Sequence, residues 1–135
     1  MPAQLANLES FDSTDIEKLI RARFMTTTDL VERVPGLADR EVLSATTGVE
    51  RGALERLFAM ADLMRVSGIG EPHAQLLAAL ETPTATVLAT REAPILIKQM
   101  RRKNVEILVV RGMPPESTVA RWIDDARKLP PLTGA

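Results

Sequence analysis

The sequence predicts an all-α fold, a compact helical domain of about seven or eight short helices. Aromatic residues make up only 3% of the 135 residues, so the core must consist mainly of Leu, Val, Ile, Met and Ala. Apolar residues recur at spacings of three and four along most of the chain, as on one face of a helix. The single β-like run, residues 105–110, has no second run to pair with. It is expected to be a buried extended segment or a helical turn.

Composition and charge limit the classes of function. A chain of this length suffices for one domain, or for two small halves with a shared core. The net charge of −1 provides no overall positive field for nucleic acid, although a local basic patch remains compatible with it. The absence of cysteine excludes disulfides and thiolate metal sites. Without an apolar run of about 18 residues or a signal sequence, the chain is expected to be cytoplasmic and not to contact membranes.

Four helices are predicted in the first half of the chain, after a flexible N-terminus over residues 1–7. Asp12 or Ser13 caps the first helix, and a threonine cap precedes the second. The third covers residues 37–47 and ends at a glycine, and the fourth covers residues 50–64. The inward residues expected of these four helices are Ile16, Leu19 and Ile20 for the first, Val42 and Leu43 for the third, and Leu54, Leu57, Phe58, Ala61 and Met64 for the fourth.

Four more helices are predicted in the second half. A helix of about ten residues carries Ala74 and Leu77, and Thr84 caps a short helix after it. Longer helices are expected over residues 93–103 and 116–129. Their inward residues are predicted to be Ile95, Leu96, Ile97 and Met100 in the first of the two, and Val119, Trp122, Ile123 and Ala126 in the second.

A tight turn at Gly68, Ile69 and Gly70 is the strongest local signal in the chain. Glycine reaches backbone angles that cost other residues energy, so two glycines around one apolar residue permit a sharp turn. Ile69 is then free to point inward while backbone N–H groups point outward. Pro72 stands where a first-turn proline favours the start of a helix.

This turn resembles the helix-hairpin-helix motif, apolar-x-Gly-apolar-Gly-x-x-x-Ala-x-x-Leu. The residues that match the pattern are Val66, Gly68, Ile69, Gly70, Ala74 and Leu77. In that family, the hairpin amides and the N-terminus of the following helix hold a phosphate of the nucleic-acid backbone. The resemblance therefore implies a phosphate site at the turn.

A wider resemblance covers the chain from residue 8 onward. Residues 61–66 before the Gly-Ile-Gly turn, the run Arg111-Gly-Met-Pro-Pro and the run Val119-Ala-Arg-Trp-Ile resemble a bacterial family of helix-hairpin-helix-like (SAM/HhH-like) domains of unknown function. The resemblance implies two units built around one shared core. Residues 8–64 would form a degenerate first unit with linking helices, and residues 65–131 a second unit with the C-terminal helix.

An internal repeat supports two units. A shift of 58 residues places Ser10, Phe11 and Asp12 on Gly68, Ile69 and Gly70, and Thr26 on Thr84. The first copy lacks both glycines, and Asp12 places a negative charge where the family places phosphate. We therefore interpret the first copy as a scaffold and the second copy as the candidate site.

The first hypothesis for function is weak, backbone-only binding of duplex DNA. A basic cluster on the helix over residues 93–103 adds a second candidate surface. Against it, Glu71 follows the second glycine, and an acidic residue beside a phosphate costs affinity. The candidate nucleic-acid-binding residues are Arg65, Ser67, Gly68, Ile69, Gly70, His73, Gln75, Lys98, Arg101 and Arg102.

The second hypothesis is a protein interaction or self-assembly module in which the hairpins are purely structural. The low net charge, the loss of the first hairpin's glycines and the apolar residues 105–110 favour it. Catalysis is not expected, because His73 is the only histidine and no metal-binding, nucleotide-binding or nucleophile motif is present. No cofactor and no metal site are expected. A basic face around the second hairpin would favour DNA, and an apolar patch would favour a protein partner.

Overall fold

The fold is described by a computed structural model for residues 3–132, which form a 3₁₀ turn and eight α-helices without a strand. The all-α prediction with seven or eight helices is thereby confirmed. The 3₁₀ turn is Leu5–Asn7, and the helices are α1 (Ser13–Arg21), α2 (Thr27–Arg33), α3 (Leu37–Thr47), α4 (Arg51–Leu63), α5 (Glu71–Ala79), α6 (Ala85–Leu88), α7 (Ala93–Ile107) and α8 (Glu116–Lys128).

The N-terminal segment, predicted to be flexible over residues 1–7, packs against the fold in its described residues 3–7. The Leu5 side chain is completely buried. The Leu5 N–H donates to the Met25 carbonyl at 2.8 Å, and the Thr27 N–H donates to the Ala3 carbonyl at 2.9 Å. Burial of a leucine side chain stabilises the folded chain by about 2 kcal/mol, which favours the packed position of this segment. Residues 1 and 2 lie outside the described part.

The repeat of 58 residues is visible in the helices. Helices α1 and α5 each contain nine residues, and both their first and their last residues are 58 positions apart. Thr26 accepts a hydrogen bond from the Asp29 N–H before α2, and Thr84 accepts one from the Val87 N–H before α6. Such caps satisfy N–H groups that have no partner within the helix. The same local solution is therefore used twice.

The turns after α1 and α5 also repeat. Arg23 and Glu81, 58 positions apart, both adopt left-handed backbone angles, with φ of 69° and 53°. The Arg33 side chain donates to the Arg23 carbonyl at 2.6 Å, and the Arg91 side chain donates to the Glu81 carbonyl at 2.9 Å. Left-handed backbone angles are unfavourable for residues other than glycine. The hydrogen bond from each arginine therefore stabilises a turn that the backbone alone disfavours.

Helices α4 and α8 complete the two units. Each contains 13 residues. Helix α4 packs against α2 and α3, as α8 packs against α6 and α7. A shift of 65 residues aligns their buried positions, Leu54 with Val119, Leu57 with Trp122, Phe58 with Ile123 and Ala61 with Ala126. We call α1–α4 the first unit and α5–α8 the second unit.

The buried side chains form two clusters, where one shared core was expected. One cluster lies mainly in the first unit and includes Leu19 and Leu57, and the other lies mainly in the second unit around Trp122. Leu8 and Phe11 pack against both clusters. Helix α4 contributes to both clusters, with Leu54 and Leu57 in the first and Met60 and Leu63 in the second.

Two residues predicted to face inward are exposed. Val42 in α3 is 67% exposed and Ile95 in α7 is 55% exposed. In α3 the buried position belongs to Arg40, whose guanidinium donates to the carbonyls of Val34 and Pro35 and to Glu55 at 2.6 Å. A buried arginine is tolerated only when its donors are satisfied, as they are here.

Residues 105–110 are neither a strand nor a buried segment. Helix α7 continues to Ile107, beyond the predicted end, so the alternative of a helical turn is right for its first residues. Val105 is 76% exposed and Leu108 is 78% exposed, which contradicts the predicted burial. The Asn104 side-chain oxygen accepts from the N–H groups of Val109 and Val110, and these bonds end the helix. Val110 is the one buried residue in this run.

Candidate anion-binding site

The second hairpin, residues 66–70, turns sharply at one glycine and not at two. Gly68 has a φ of +95°, in the region that favours glycine. Gly70 has a φ of −102° and a ψ of −172°, an extended conformation open to any residue, and it is the N-cap of α5. Ile69 is buried, as the sequence predicts. The structural requirement for glycine therefore lies at Gly68.

The backbone N–H groups of Ser67 and Gly68 have no hydrogen-bond partner among the described residues. Both residues are exposed. Helix α5 begins directly after the hairpin, with Pro72 in its first turn. Its N-cap residue is Gly70, which has no side chain to accept from the first N–H groups of the helix. Unpaired N–H groups beside a helix N-terminus carry partial positive charge and favour an anion.

The equivalent loop of the first unit holds an anion. The N–H groups of Glu9 and Ser10, 58 positions before Ser67 and Gly68, donate to the carboxylate of Glu71 at 3.0 Å and 2.8 Å. The Ser10 hydroxyl donates to the same carboxylate. Glu71 is thus turned toward the first unit, and its carboxylate is bound there. Glu71 keeps its negative charge at the start of α5, and its carboxylate oxygens are held by the loop of the first unit.

Arg121 joins the second hairpin from α8. A Cβ placed on Gly68 would lie 3.3 Å from Nη2 of Arg121. Arg121 is exposed and makes no ion pair with any residue in the described part of the chain. Sequence analysis missed it, because α8 is far from the hairpin along the chain. The shift that aligns α4 with α8 places Arg56 on Arg121, and Arg56 lines a cavity together with Ser10.

The Trp122 side chain lies against Gly68, and His73 packs against Trp122. A Cβ on Gly68 would lie 3.1 Å from the indole Nε1 of Trp122. The rings of Trp122 and His73 meet edge to face, with centroids 5.2 Å apart. Trp122 Nε1 and His73 Nε2 are both buried without a hydrogen-bond partner in the described residues. Such atoms are rare, since an unpaired buried polar atom costs about 1 to 3 kcal/mol.

His73 is a neutral side chain at neutral pH. Burial lowers the pKa of the imidazole from its ordinary value of 6.5, because the charged form loses hydration. His73 was predicted to contact a phosphate. Its ring packs against Trp122, and the lowered pKa disfavours the charged form that would attract a phosphate.

Arg65, another predicted contact, holds the fold together. Its guanidinium donates to Asp62 at 2.9 Å and to the Pro130 carbonyl at 2.7 Å. Asp62 is buried and also accepts from the Ala85 N–H at 3.0 Å, which joins the end of α4 to the start of α6. These bonds occupy the Arg65 side chain within the protein.

The other predicted residues outside the hairpin lie on α5 and α7. Gln75 lines an apolar cavity of about 470 Å³ between the units, with Phe11, Met60 and Ile107 among its other walls. Lys98, Arg101 and Arg102 are exposed on α7, which packs against α5 and α8. None of the three makes an ion pair with another described residue.

No three or more His, Asp or Glu side chains within residues 3–132 are grouped so that they could hold a metal ion. No helix in the same range has the length and apolar character needed to cross a membrane.

Residues 10–129 match the family described as "Domain of unknown function (DUF4332)". The chain belongs to this family. The match includes the second hairpin, the first hairpin from residue 10 onward and all eight helices. No curated protein and no solved structure matches this DUF4332 domain.

Proposed function

We propose that this DUF4332 domain is a non-catalytic helix-hairpin-helix module that binds the backbone of duplex DNA weakly through the second hairpin. The observation that carries the proposal is the pair of N–H groups on Ser67 and Gly68. The equivalent N–H groups of Glu9 and Ser10 bind a carboxylate. Those of Ser67 and Gly68 belong to exposed residues and have no partner among residues 3–132.

The chemistry of the site fits a phosphate oxygen. Two adjacent N–H groups and the positive end of α5 offer hydrogen bonds to an anion. Arg121 adds a full positive charge at the same turn. Contacts of this kind position a protein on the duplex and do not read its sequence. Since the net charge is −1, we expect the affinity to be low.

A salt titration of duplex binding by fluorescence anisotropy tests the proposal. If phosphates are bound, the logarithm of the association constant falls linearly with the logarithm of salt, by about 0.9 per phosphate neutralised. Arg121→Ala should weaken binding and reduce the slope. Gly68→Glu should abolish binding, because it adds a carboxylate to the turn and also strains the backbone at a positive φ.

Arg56→Ala is the matched control. Arg56 occupies the position in α4 that Arg121 occupies in α8, and it lies beside the loop that Glu71 fills. Its removal should leave the slope unchanged. The proposal is wrong if the intact protein binds no duplex at low salt, or if Arg56→Ala and Arg121→Ala weaken binding equally.

Self-association is the second candidate function, and it is favoured by one observation. Val105, Ile107 and Leu108 are exposed next to the apolar cavity, whose wall includes Ile107 and Val109. Contiguous exposed apolar residues are typical of interaction sites. Sedimentation velocity over a range of concentrations tests this candidate, with Leu108→Ser as the variant that should remove any dimer. A strictly monomeric protein at high concentration would exclude self-association.

A further inference from the structure

Glu71 contacts the first unit although it belongs to the second. It is the first residue of α5, and its carboxylate binds the loop before α1. Its three donors, the N–H groups of Glu9 and Ser10 and the Ser10 hydroxyl, belong to exposed residues. A carboxylate and a phosphate present similar oxygen acceptors to such a set of donors.

The first unit supplies no corresponding carboxylate to the second hairpin. The residue that corresponds to Glu71 in the repeat is Ser13, the first residue of α1. Ser13 has no carboxylate, and no described side chain accepts a hydrogen bond from the N–H of Ser67 or Gly68. One hairpin is therefore filled from within the protein, and its counterpart is open.

We infer that the first hairpin is a latent oxyanion site, and that Glu71 is the internal anion that keeps phosphate out of it. The Asp12 carboxylate, which led to the interpretation of this copy as a scaffold, does not fill these donors, because it caps α1 by accepting from the Thr14 N–H at 2.7 Å. The bound carboxylate is tethered next to the site, so it outcompetes free anions. Removal of the Glu71 carboxylate opens the site to phosphate or sulfate. The consequence for DNA, one phosphate contact where the repeat provides for two, rests on the proposed function above.

The test uses sulfate as the probe and two variants of the full chain. Glu71→Ala empties the site. Glu71→Gln keeps the length of the side chain and one acceptor, and serves if the alanine variant does not fold. The ¹H–¹⁵N spectrum of each variant is recorded with increasing sodium sulfate, against sodium chloride of equal ionic strength. The amide signals of Glu9 and Ser10 should shift with sulfate in a saturable way, and those of the unmodified protein should not.

Glu50→Ala is the matched control for a lost carboxylate at a helix N-terminus. Glu50 caps α4 by accepting from the Gly52 N–H at 3.2 Å. Its loss also frees N–H groups in a first turn, but without the loop of residues 9 and 10. Sulfate should raise the urea midpoint of Glu71→Ala more than that of Glu50→Ala. Equal effects in the two variants would overturn the inference, as would stationary Glu9 and Ser10 signals in both Glu71 variants.

Duplex binding separates this inference from the proposed function. If both hold, Glu71→Ala binds duplex more tightly, with a salt slope that is larger by about 0.9 for the added phosphate. If the unmodified protein and Glu71→Ala both fail to bind duplex, the proposed function is wrong, and the sulfate titration still decides whether the first hairpin is an anion site.

Discussion

Gly68 lies directly against the indole nitrogen of Trp122, so near that a Cβ on Gly68 would be 3.1 Å from Nε1. This contact joins the second hairpin to α8, the last helix of the second unit. Two requirements therefore coincide at Gly68, a positive φ and the absence of a side chain. Gly70 has neither requirement, because its φ is negative and the nearest atom to its Cβ position is 4.0 Å away.

We predict that the two hairpin glycines differ in their tolerance of substitution. Gly68→Ala should reduce the free energy of unfolding by about 1 to 3 kcal/mol, from backbone strain and the close contact with Trp122. Gly70→Ser should change it by less than about 0.5 kcal/mol, since serine is a good N-cap. Urea unfolding measures both. Equal losses would show that the turn depends on Gly70 as much as on Gly68.

The buried pair of Asp62 and Arg65 should matter more than a surface pair. We predict that Asp62→Ala destabilises the protein by about 3 kcal/mol, because it leaves the Arg65 charge and the Ala85 N–H without their partner. The control is Asp124→Ala, which breaks the exposed pair with Lys128 at 3.0 Å and should cost less than about 1 kcal/mol. Similar losses in urea unfolding would contradict the role given to Asp62.

The helices could be predicted from sequence because their signals are local. Apolar spacing, threonine caps and glycine stops act within a few residues, and α1 to α8 follow from them. Val42 was wrongly predicted to face inward. Helix α3 buries Arg40 instead, and the groups that accept hydrogen bonds from its guanidinium, including Glu55, come from other elements. The left-handed turn at Leu108 depends on the Asn104 side chain, which the apolar pattern of residues 105–110 conceals.

The pH dependence of stability should report the environment of His73. Burial lowers its pKa in the folded state below 6.5, so the unfolded chain binds a proton more readily. Stability should therefore fall as the pH drops through 6.5 toward the folded-state pKa, and level off below it. His73→Gln should remove this step in urea unfolding measured from pH 8 to pH 5. A step of the same size in the variant would assign the effect to another group.

Two aspartates titrate in a different pH range. Hydrogen bonds lower the pKa of Asp12 and of Asp29 from the ordinary value of 3.8, with the largest effect from Thr14 on Asp12 and from the Met25 N–H on Asp29. Their contribution to stability is present above pH 3.8 and is lost only as the pH falls further. The His73 step is thus separate from theirs.

Leu108 should be replaceable with a gain in stability. It is exposed and adopts a left-handed conformation at the end of α7, with φ of 51°. We predict that Leu108→Gly raises the free energy of unfolding by about 0.5 to 1 kcal/mol, because glycine adopts this conformation without strain. Thermal or urea unfolding measures the gain. Lower stability of the variant would show that the leucine side chain contributes packing in the folded chain.

The candidate site was only partly predictable from sequence. The Gly-Ile-Gly pattern locates the hairpin, because a turn of this kind needs residues that are adjacent in the chain. Arg121, Trp122 and the contact of Glu71 with Ser10 come from elements distant in sequence. Arg65 was predicted to be at the site because it is close to the hairpin in sequence. In the structure its guanidinium instead donates to Asp62 and to the Pro130 carbonyl.

The most direct test of the central claim is an NMR titration of the ¹⁵N-labelled protein with a short DNA duplex at low salt. The claim is that the Ser67 and Gly68 amides bind a backbone phosphate while Glu71 fills the equivalent site at Glu9 and Ser10. It predicts that the amide signals of Ser67 and Gly68 shift strongly and those of Glu9 and Ser10 stay in place. Shifts confined to α7, or none at the second hairpin, would contradict it.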